Sequence, residues 1–237
     1  INDWVSNQTN GFIDDLISPG QLDSSTLMVL VNALFFKGTW ELRFERNNTM
    51  NATFFGSNGE AQAEMMTQTQ EFRYNRDTQV LELPYVNNRF SMILVLSPEG
   101  AESSFLVDTA ADQLATTLDK PGFDKLETAV TIPRFAFEES YDLALIMPEL
   151  GTQRVFTNEA ELDAISDVPL KVDTAVHKAR ILVNEEGTTA SAATSAAIRP
   201  LNFLRETFTA DRPFTFFIRD NENQLFLFMG AYSNVPT

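Results

Sequence analysis

The chemistry that this sequence can support is limited by the side chains it lacks. It has no cysteine, which excludes disulfides and thiolate zinc sites, and His177 is its one histidine. No Ser/His/Asp arrangement is visible around His177, so no nucleophile with a general base can be assigned. A lone histidine is more often a core or surface residue than a catalytic one. We therefore expect no enzymatic activity, no metal site and no cofactor.

A run of small residues is the most unusual segment of the chain. Between Gly187 and Ala197 no side chain is larger than threonine. Such a segment cannot build a core of its own, yet nothing bulky or charged would prevent it from fitting into one. From the residues alone it is a flexible tether, an exposed alanine-rich helix, or a strand able to lie both outside and inside a sheet.

Composition and charge define the broad class of the protein. The chain has 237 residues, of which 43% are hydrophobic and 11% aromatic, enough for the core of one large domain or two small ones. Its net charge of -16 provides no basic face for nucleic acid or anionic membranes. No apolar run approaches the roughly 18 residues of a membrane-spanning helix. We expect a globular protein with neither nucleic-acid nor membrane partners.

Three triplets match the acceptor pattern for N-glycosylation, at Asn7, Asn47 and Asn51. They predict a secreted, extracellular glycoprotein. A chain rich in asparagine and threonine also contains such triplets by chance, so an intracellular location stays open. The chain begins at Ile1 without a charged and apolar leader and without an initiator methionine, which indicates an interior start.

The elements that must position these residues are mostly strands. Residues 26–36 form a nearly continuous apolar run, which predicts a strand buried on both faces, whose polar Asn32 then needs a partner. Residues 79–84 and 90–97 predict a strand pair joined by a turn. Strand character continues in residues 127–137, interrupted at Pro133, and in 171–183.

Helical spacing appears in residues 101–118 and 141–150. At the end of the chain, residues 213–219 and 225–232 predict an apolar hairpin that must be buried inside something larger. Two sheets with helices, and no repeat or linker that divides the chain, predict an α+β fold.

Eight short segments match the serpin family in the same order, and together they cover essentially the whole chain. Any one of them is weak, but eight in order are specific. The chain therefore resembles a serpin. The segments are 1–5 (INDWV), 31–40 (VNALFFKGTW), 81–85 (LELPY), 133–135 (PRF), 175–179 (AVHKA), 184–188 (NEEGT), 211–214 (DRPF) and 228–230 (FMG).

The resemblance implies a single domain over residues 1–237 with the serpin fold of mixed sheets and helices. Ile1 aligns just after the helix that crosses the main sheet of the family. We therefore expect a carboxy-terminal portion that is incomplete without its amino-terminal portion, which is its first partner. When complete, the protein is expected to be a monomer. The reactive-centre loop is placed at residues 185–207.

The resemblance further implies a serine protease inhibitor that acts as a suicide substrate. A protease that cleaves the loop is trapped covalently as the loop inserts into the main sheet. The alternative is a non-inhibitory serpin acting as a carrier or chaperone, and such members tend to carry charged, bulky or proline residues in the hinge. The hinge residues here match the inhibitory pattern: Glu185, Glu186, Gly187, Thr188, Ala190, Ser191, Ala192 and Ala193.

The bond offered to the protease is placed by the family's spacing from Gly187, which gives Leu201-Asn202. Arg199 suggests a trypsin-like target, but Pro200 follows it, and an Arg-Pro bond lacks the amide N–H and carries a rigid ring. Leu201 would instead fill the apolar pocket of a chymotrypsin-like, elastase-like or cathepsin G-like protease. The bonds at 202–203 and 203–204 remain alternatives, as does a trypsin-type bond at Arg205.

The family match also assigns roles to three residues outside the loop. Asn32 and His177 fall in the shutter beneath the main sheet, where a hydrogen bond between neighbouring strands holds the sheet closed. Trp40 falls in the breach, where insertion of the loop begins.

Overall fold

The computed structural model of the chain describes residues 1–100, 108–118, 120–187 and 205–236. Its elements in chain order are α1 (Asn2–Gln8), β1 (Val29–Phe36), β2 (Met50–Gly56), β3 (Gly59–Asn75), β4 (Val80–Pro84), β5 (Phe90–Leu96), α2 (Asp108–Thr117), β6 (Asp124–Pro133), β7 (Phe135–Asp142), α3 (Leu143–Glu149), β8 (Thr174–Val183), β9 (Glu206–Thr209), β10 (Phe214–Asp220) and β11 (Leu225–Tyr232). Single 3-10 turns lie at Arg46–Asn48, Val86–Asn88 and Arg154–Phe156.

The chain divides into two compact units. The first consists of Ile1–Lys37 and Ala136–Leu182, and the second of Gly38–Phe135 and Val183–Thr237. Strands and helices occur in both, so the α+β prediction is confirmed. Among the described helices, none combines the length and the apolar character that crossing a membrane requires.

The first unit contains a three-stranded sheet in the order β1-β8-β7, in which β1 and β8 are parallel. One face of the sheet packs on α1 and the segment that follows it, through Val5, Ile13, Leu16, Ile17 and Val176. On the opposite face, Leu30 is 45% exposed and Leu34 38% exposed. The prediction that this strand is buried on both faces is wrong, because alternate side chains point to opposite faces and the described core covers one.

The second unit is built on a larger sheet, ordered β11-β10-β5-β4-β3-β6-β9, with β2 paired to β3. The predicted pair of β4 and β5 is confirmed and is antiparallel, and the predicted interruption at Pro133 is confirmed by the end of β6 there. Helix α2 covers one face of the sheet through a cluster of Val80, Ile93, Val95, Ala110, Leu114, Leu118, Phe123 and Phe217.

The carboxy-terminal hairpin of β10 and β11 forms as predicted, but only half of it is buried. Every residue of β10 is buried, because β10 pairs with β5 on one side and β11 on the other. Strand β11 is at the end of the strand order, and its Leu225 and Met229 are 58% and 71% exposed. Burial of β11 inside something larger stays a prediction.

Candidate functional site

Backbone hydrogen bonds within the second unit hold the residues that follow β8. Trp40 N donates to Glu186 O at 3.3 Å, and Phe44 N donates to Glu185 O at 3.0 Å. The turn closes on itself, since Gly187 N donates to Asn184 O at 3.2 Å. These bonds hold Glu185, Glu186 and Gly187, the described part of the predicted hinge.

Gly187 occupies a position that no other residue fits. Its φ of +82° lies in the left-handed region, which L side chains rarely adopt. A Cβ atom here would overlap Gly38 O and would lie 2.6 Å from both Thr39 Cα and Trp40 N. Glycine is therefore required both by the backbone conformation and by the close approach of residues 38–40.

The buried Trp40 side chain contacts the first residue of this turn. Its side chain is 2% exposed, and its ring stacks on Tyr85 with centroids 4.3 Å apart and 10° between the planes. The indole Nε1 donates to Asn184 O at 2.8 Å. Burial raises the pKa of the Tyr85 phenol well above its ordinary value, so the ring pair stays uncharged. The Trp40 indole thus donates to the residue just before the predicted hinge, while its ring face is stacked on Tyr85.

Glu185 places a buried carboxylate in the predicted hinge, with side-chain partners from two segments of the chain. It is 5% exposed, and its Oε1 accepts from Thr49 Oγ1 at 2.7 Å. Its Oε2 lies 3.4 Å from Arg134 Nε, and the same guanidinium pairs with Glu64 at 2.9 Å. Buried charges need such partners. Thr49 and Arg134 were not predicted; the available signal was the Pro-Arg-Phe segment and the polar residues after Trp40.

Asn32 and His177 are register partners on β1 and β8, and their side chains meet. Asn32 Nδ2 lies 3.0 Å from His177 Nδ1. Because an amide NH₂ group can only donate, this contact assigns the acceptor role to Nδ1. Tyr141 stacks on the imidazole with centroids 6.0 Å apart. The structure thus brings together the two residues of the predicted shutter, whose role in holding a sheet closed stays a prediction.

Lys178, the next residue of β8, ties that strand to its surroundings in the first unit. It is 7% exposed, and its Nζ lies 2.7 Å from both Asp15 Oδ1 and Glu138 Oε1. Burial acts to lower the pKa of Lys178, but the hydrogen bonds to Asp15 and Glu138 outweigh it and the pKa is raised. The ammonium therefore stays charged and anchors β8 to β7 and to the segment after α1.

The three predicted glycosylation positions are exposed in the described structure. Asn7 lies on α1, Asn47 in the 3-10 turn Arg46–Asn48, and Asn51 on β2. The threonine of the first triplet, Thr9, is buried and donates its hydroxyl to Val5 O at 2.8 Å. The exposed side chains are compatible with attached glycans, and the use of these triplets stays a prediction.

Residues 188–204 of the predicted loop lie outside the described residues. This applies to Thr188, Ala190, Ser191, Ala192, Ala193 and the bond Leu201-Asn202. Across the residues that the structure does describe, no group of three His, Asp or Glu side chains is arranged to hold a metal ion.

Comparisons with known proteins agree with this architecture. A family model described as Serpin (serine protease inhibitor) matches residues 1–235. Leukocyte elastase inhibitor of Homo sapiens is 38% identical over 99% of this chain and 65% of its own length. Antithrombin-III of Homo sapiens is 37% identical over 99% of this chain and 52% of its own. Uncleaved ovalbumin superimposes with a TM-score of 0.82 at 32% identity, covering 99% of this chain and 61% of that structure.

The α+β architecture with its two sheets is therefore that of a serpin-fold protein. The chain belongs to the serpin family. It spans 65% of the length of the leukocyte elastase inhibitor that it resembles.

Proposed function

We propose that this protein inhibits serine proteases as a suicide substrate, with residues 185–207 as its reactive-centre loop. The observation that carries the proposal is the continuity of the chain at the hinge. Strand β8 leads through a turn fixed at Gly187 straight into residues with small side chains. In a strand, Thr188, Ala190 and Ala192 would share one face with Thr194 and Ala196, so each could enter a packed interior with little strain.

Insertion of the cleaved loop would break the pairing between β1 and β8 and replace it with the pairing of an added strand. In the described state, β1 and β8 pair over Val29–Phe36, and the Asn32–His177 bond joins them. A strand added to such a sheet gains about ten ladder hydrogen bonds at about 1 kcal/mol net each, or about 10 kcal/mol before packing. That gain is comparable to the stability of a whole domain, which supports displacement of an acylated protease.

The proposed target is a serine protease that prefers an apolar residue before the cleaved bond. Leu201 supplies that residue, and Pro200 favours an extended bait conformation while protecting the Arg199 bond. One relative is named for its inhibition of an elastase, which agrees with this preference. We further propose that the protein acts outside the cell and carries glycans at one or more of Asn7, Asn47 and Asn51.

The test is incubation of the full-length protein with chymotrypsin, elastase and trypsin. We expect an SDS-stable complex with an apolar-specific protease, and a released peptide that begins at Asn202. Cleavage without a complex, with the proteases left active, would contradict inhibition and favour the carrier alternative.

Two matched variants separate insertion from simple cleavage. Thr188→Arg places a charge on the strand face that must become buried, whereas Thr189→Arg places the same charge on the opposite face. We expect the first variant to be cleaved as a substrate without a stable complex and the second to retain the complex. Equal behaviour of the two variants would argue against insertion of the loop as a strand in this register.

A further inference from the structure

The candidate loop returns to the described structure at a short strand with few backbone bonds. Glu206 begins β9, which pairs in parallel with β6 over four residues, from Thr128↔Glu206 to Thr131↔Thr209. In the strand order of the described sheet, β9 comes last, after β6. A strand this short contributes little pairing energy, so side chains must supply part of what holds it.

One side of β9 is anchored by an aromatic contact. Phe208 is fully buried, and Tyr74 of β3 meets it edge to face with centroids 5.8 Å apart. The Tyr74 hydroxyl donates to Thr207 O at 3.4 Å. These contacts hold Thr207 and Phe208, the second and third residues of β9.

The first residue, Glu206, is held instead by a guanidinium fork. Arg76 Nε donates to Glu206 Oε2 at 2.8 Å, and Arg76 Nη2 contacts both carboxylate oxygens. The side chain of Glu206 is 15% exposed, whereas that of Arg76 is 66% exposed. The Glu206 carboxylate is thus largely buried, whereas the Arg76 side chain that binds it is mostly exposed to solvent. Two-point pairing of this kind fixes the orientation of a carboxylate as well as its position.

The turn that carries Arg76 is closed by its own hydrogen bonds. Asn75 Oδ1 accepts from both Asp77 N and Thr78 N at 3.0 Å, and Gln79 Nε2 donates to Arg76 O at 2.7 Å. These bonds hold the backbone from which the Arg76 side chain extends. Ahead of Glu206, Arg205 Nη2 contacts Thr69 Oγ1 of β3, so two consecutive residues of this stem are tied to the same part of the unit.

We infer that Arg76 is a positioning residue for inhibition: by clamping Glu206 it fixes the carboxy-terminal stem of the reactive-centre loop and thereby presents the bait bond to the protease. The inference rests on the proposed function. Leu201 lies five positions before Glu206. At roughly 3.5 Å per residue, the bait bond is within about 17 Å of the Arg76–Glu206 pair. Movement of Glu206 would therefore change the position of the bait bond.

The experiment measures the association rate of the full-length protein with an apolar-specific protease. A partly exposed two-point pair contributes up to about 1 kcal/mol, so Arg76→Ala should slow association by up to about fivefold. Arg76→Lys, which keeps the charge without the fork, should fall between wild type and Arg76→Ala. The difference between wild type and Arg76→Ala should shrink in 1 M salt, which screens the pair.

The control is Arg154→Ala, which removes a similarly exposed guanidinium whose partner, Glu161, lies in the first unit. It should leave the rate unchanged. Exchanging the charges, with Arg76→Glu and Glu206→Arg together, should restore the rate that either single change lowers. The contrary result is that both single variants associate slowly, all three variants melt as wild type, and the double variant does not recover the association rate. Arg76 would then contact the protease directly, and the inferred role in holding Glu206 would be wrong.

Two further outcomes separate this inference from the proposed function. A wild-type protein that forms complexes, with an Arg76→Ala variant that associates equally fast, would overturn the positioning role and leave inhibition standing. Absence of a complex for wild type and every variant would overturn the proposed function itself. In that case hydrogen exchange at Thr207 and Phe208 still reports whether the clamp holds β9, with faster exchange expected in Arg76→Ala.

Discussion

At the scale of single residues, the bond between Asn32 and His177 joins two strands at a point where the backbone ladder already pairs them. Its strength is modest, since a typical hydrogen bond contributes about 1 kcal/mol net. Its position matters more, because both side chains stand on the sheet face that also exposes Leu30 and Leu34. A strand that entered between β1 and β8 would have to break this bond.

We therefore predict that His177→Ala eases separation of these strands. The lost bond should lower stability by about 1 kcal/mol, which for a protein of this size is about 2–4 °C in Tm. The monomer fraction after mild heating should fall as well. Asn32→Ala and the double variant complete a cycle in which the two single effects should not add. A His177→Ala protein with the melting point and monomer fraction of wild type would show that the shutter role is wrong.

Gly187 allows a second test at this scale, because strain and packing can be separated. Gly187→Ala combines a left-handed backbone with overlap onto residues 38–40, so we expect a loss of about 2–3 kcal/mol in urea unfolding. Gly122 is the matched control, since its φ is +91° but its nearest neighbour, Asn75 Nδ2, lies at an ordinary 3.6 Å. Gly122→Ala should cost about 1 kcal/mol. Equal losses would mean that the close approach at the hinge is unimportant.

At the scale of elements, the sequence predicts best where hydrophobic periodicity and turn residues coincide. The pair β4 and β5, the interruption at Pro133 and the hairpin of β10 and β11 all follow from such signals. Helix α3 also lies within the segment predicted as helical, and Gly151 follows it. The residues that determine these elements lie within them or next to them in the sequence.

The hairpin of β2 and β3 was not predicted, although β3 is long. Its residues Gly59–Asn75 are mostly polar, with glutamine, glutamate and threonine between scattered apolar positions. The burial of this strand comes from partners distant in sequence, since β6 pairs along most of its second half. The turn at 56–59, with glycines at both ends, was the available local signal. Polar strands of this kind are stabilised by pairing that no local pattern reveals.

Burial was also harder to predict than strand identity. Strands β1 and β11 have apolar sequences typical of buried strands, yet each exposes large side chains in the described structure. An apolar sequence shows that the side chains of a strand can be buried. Whether they are buried depends on the position of the strand in its sheet. The hinge shows the same limit, because the partners of Glu185 come from residues 49 and 134.

At the scale of the whole molecule, two effects of acid must be distinguished. The net charge of -16 approaches zero near the pI of about 4.4, which removes self-repulsion and favours association. Unfolding requires instead the loss of specific carboxylate contacts. In the first unit, the hydrogen bond and charge of Lys178 hold the pKa of Asp15 below its ordinary value of 3.8. Backbone N–H groups of Leu27 and Met28 lower the pKa of Asp173 in the same way.

We predict that acid destabilises this unit below about pH 4 rather than near pH 6. A lowered folded-state pKa gives stability that is complete above the unfolded value and is lost as pH falls through the folded value. Asp173→Asn should therefore be less stable than wild type at pH 7, and the difference between the two in urea unfolding should shrink as pH falls below 3.8. Asp163→Asn, which removes the same charge from an exposed position, should match wild type at pH 7. A constant difference between Asp173→Asn and wild type from pH 7 to pH 3 would show that ionisation of Asp173 does not hold the start of β1.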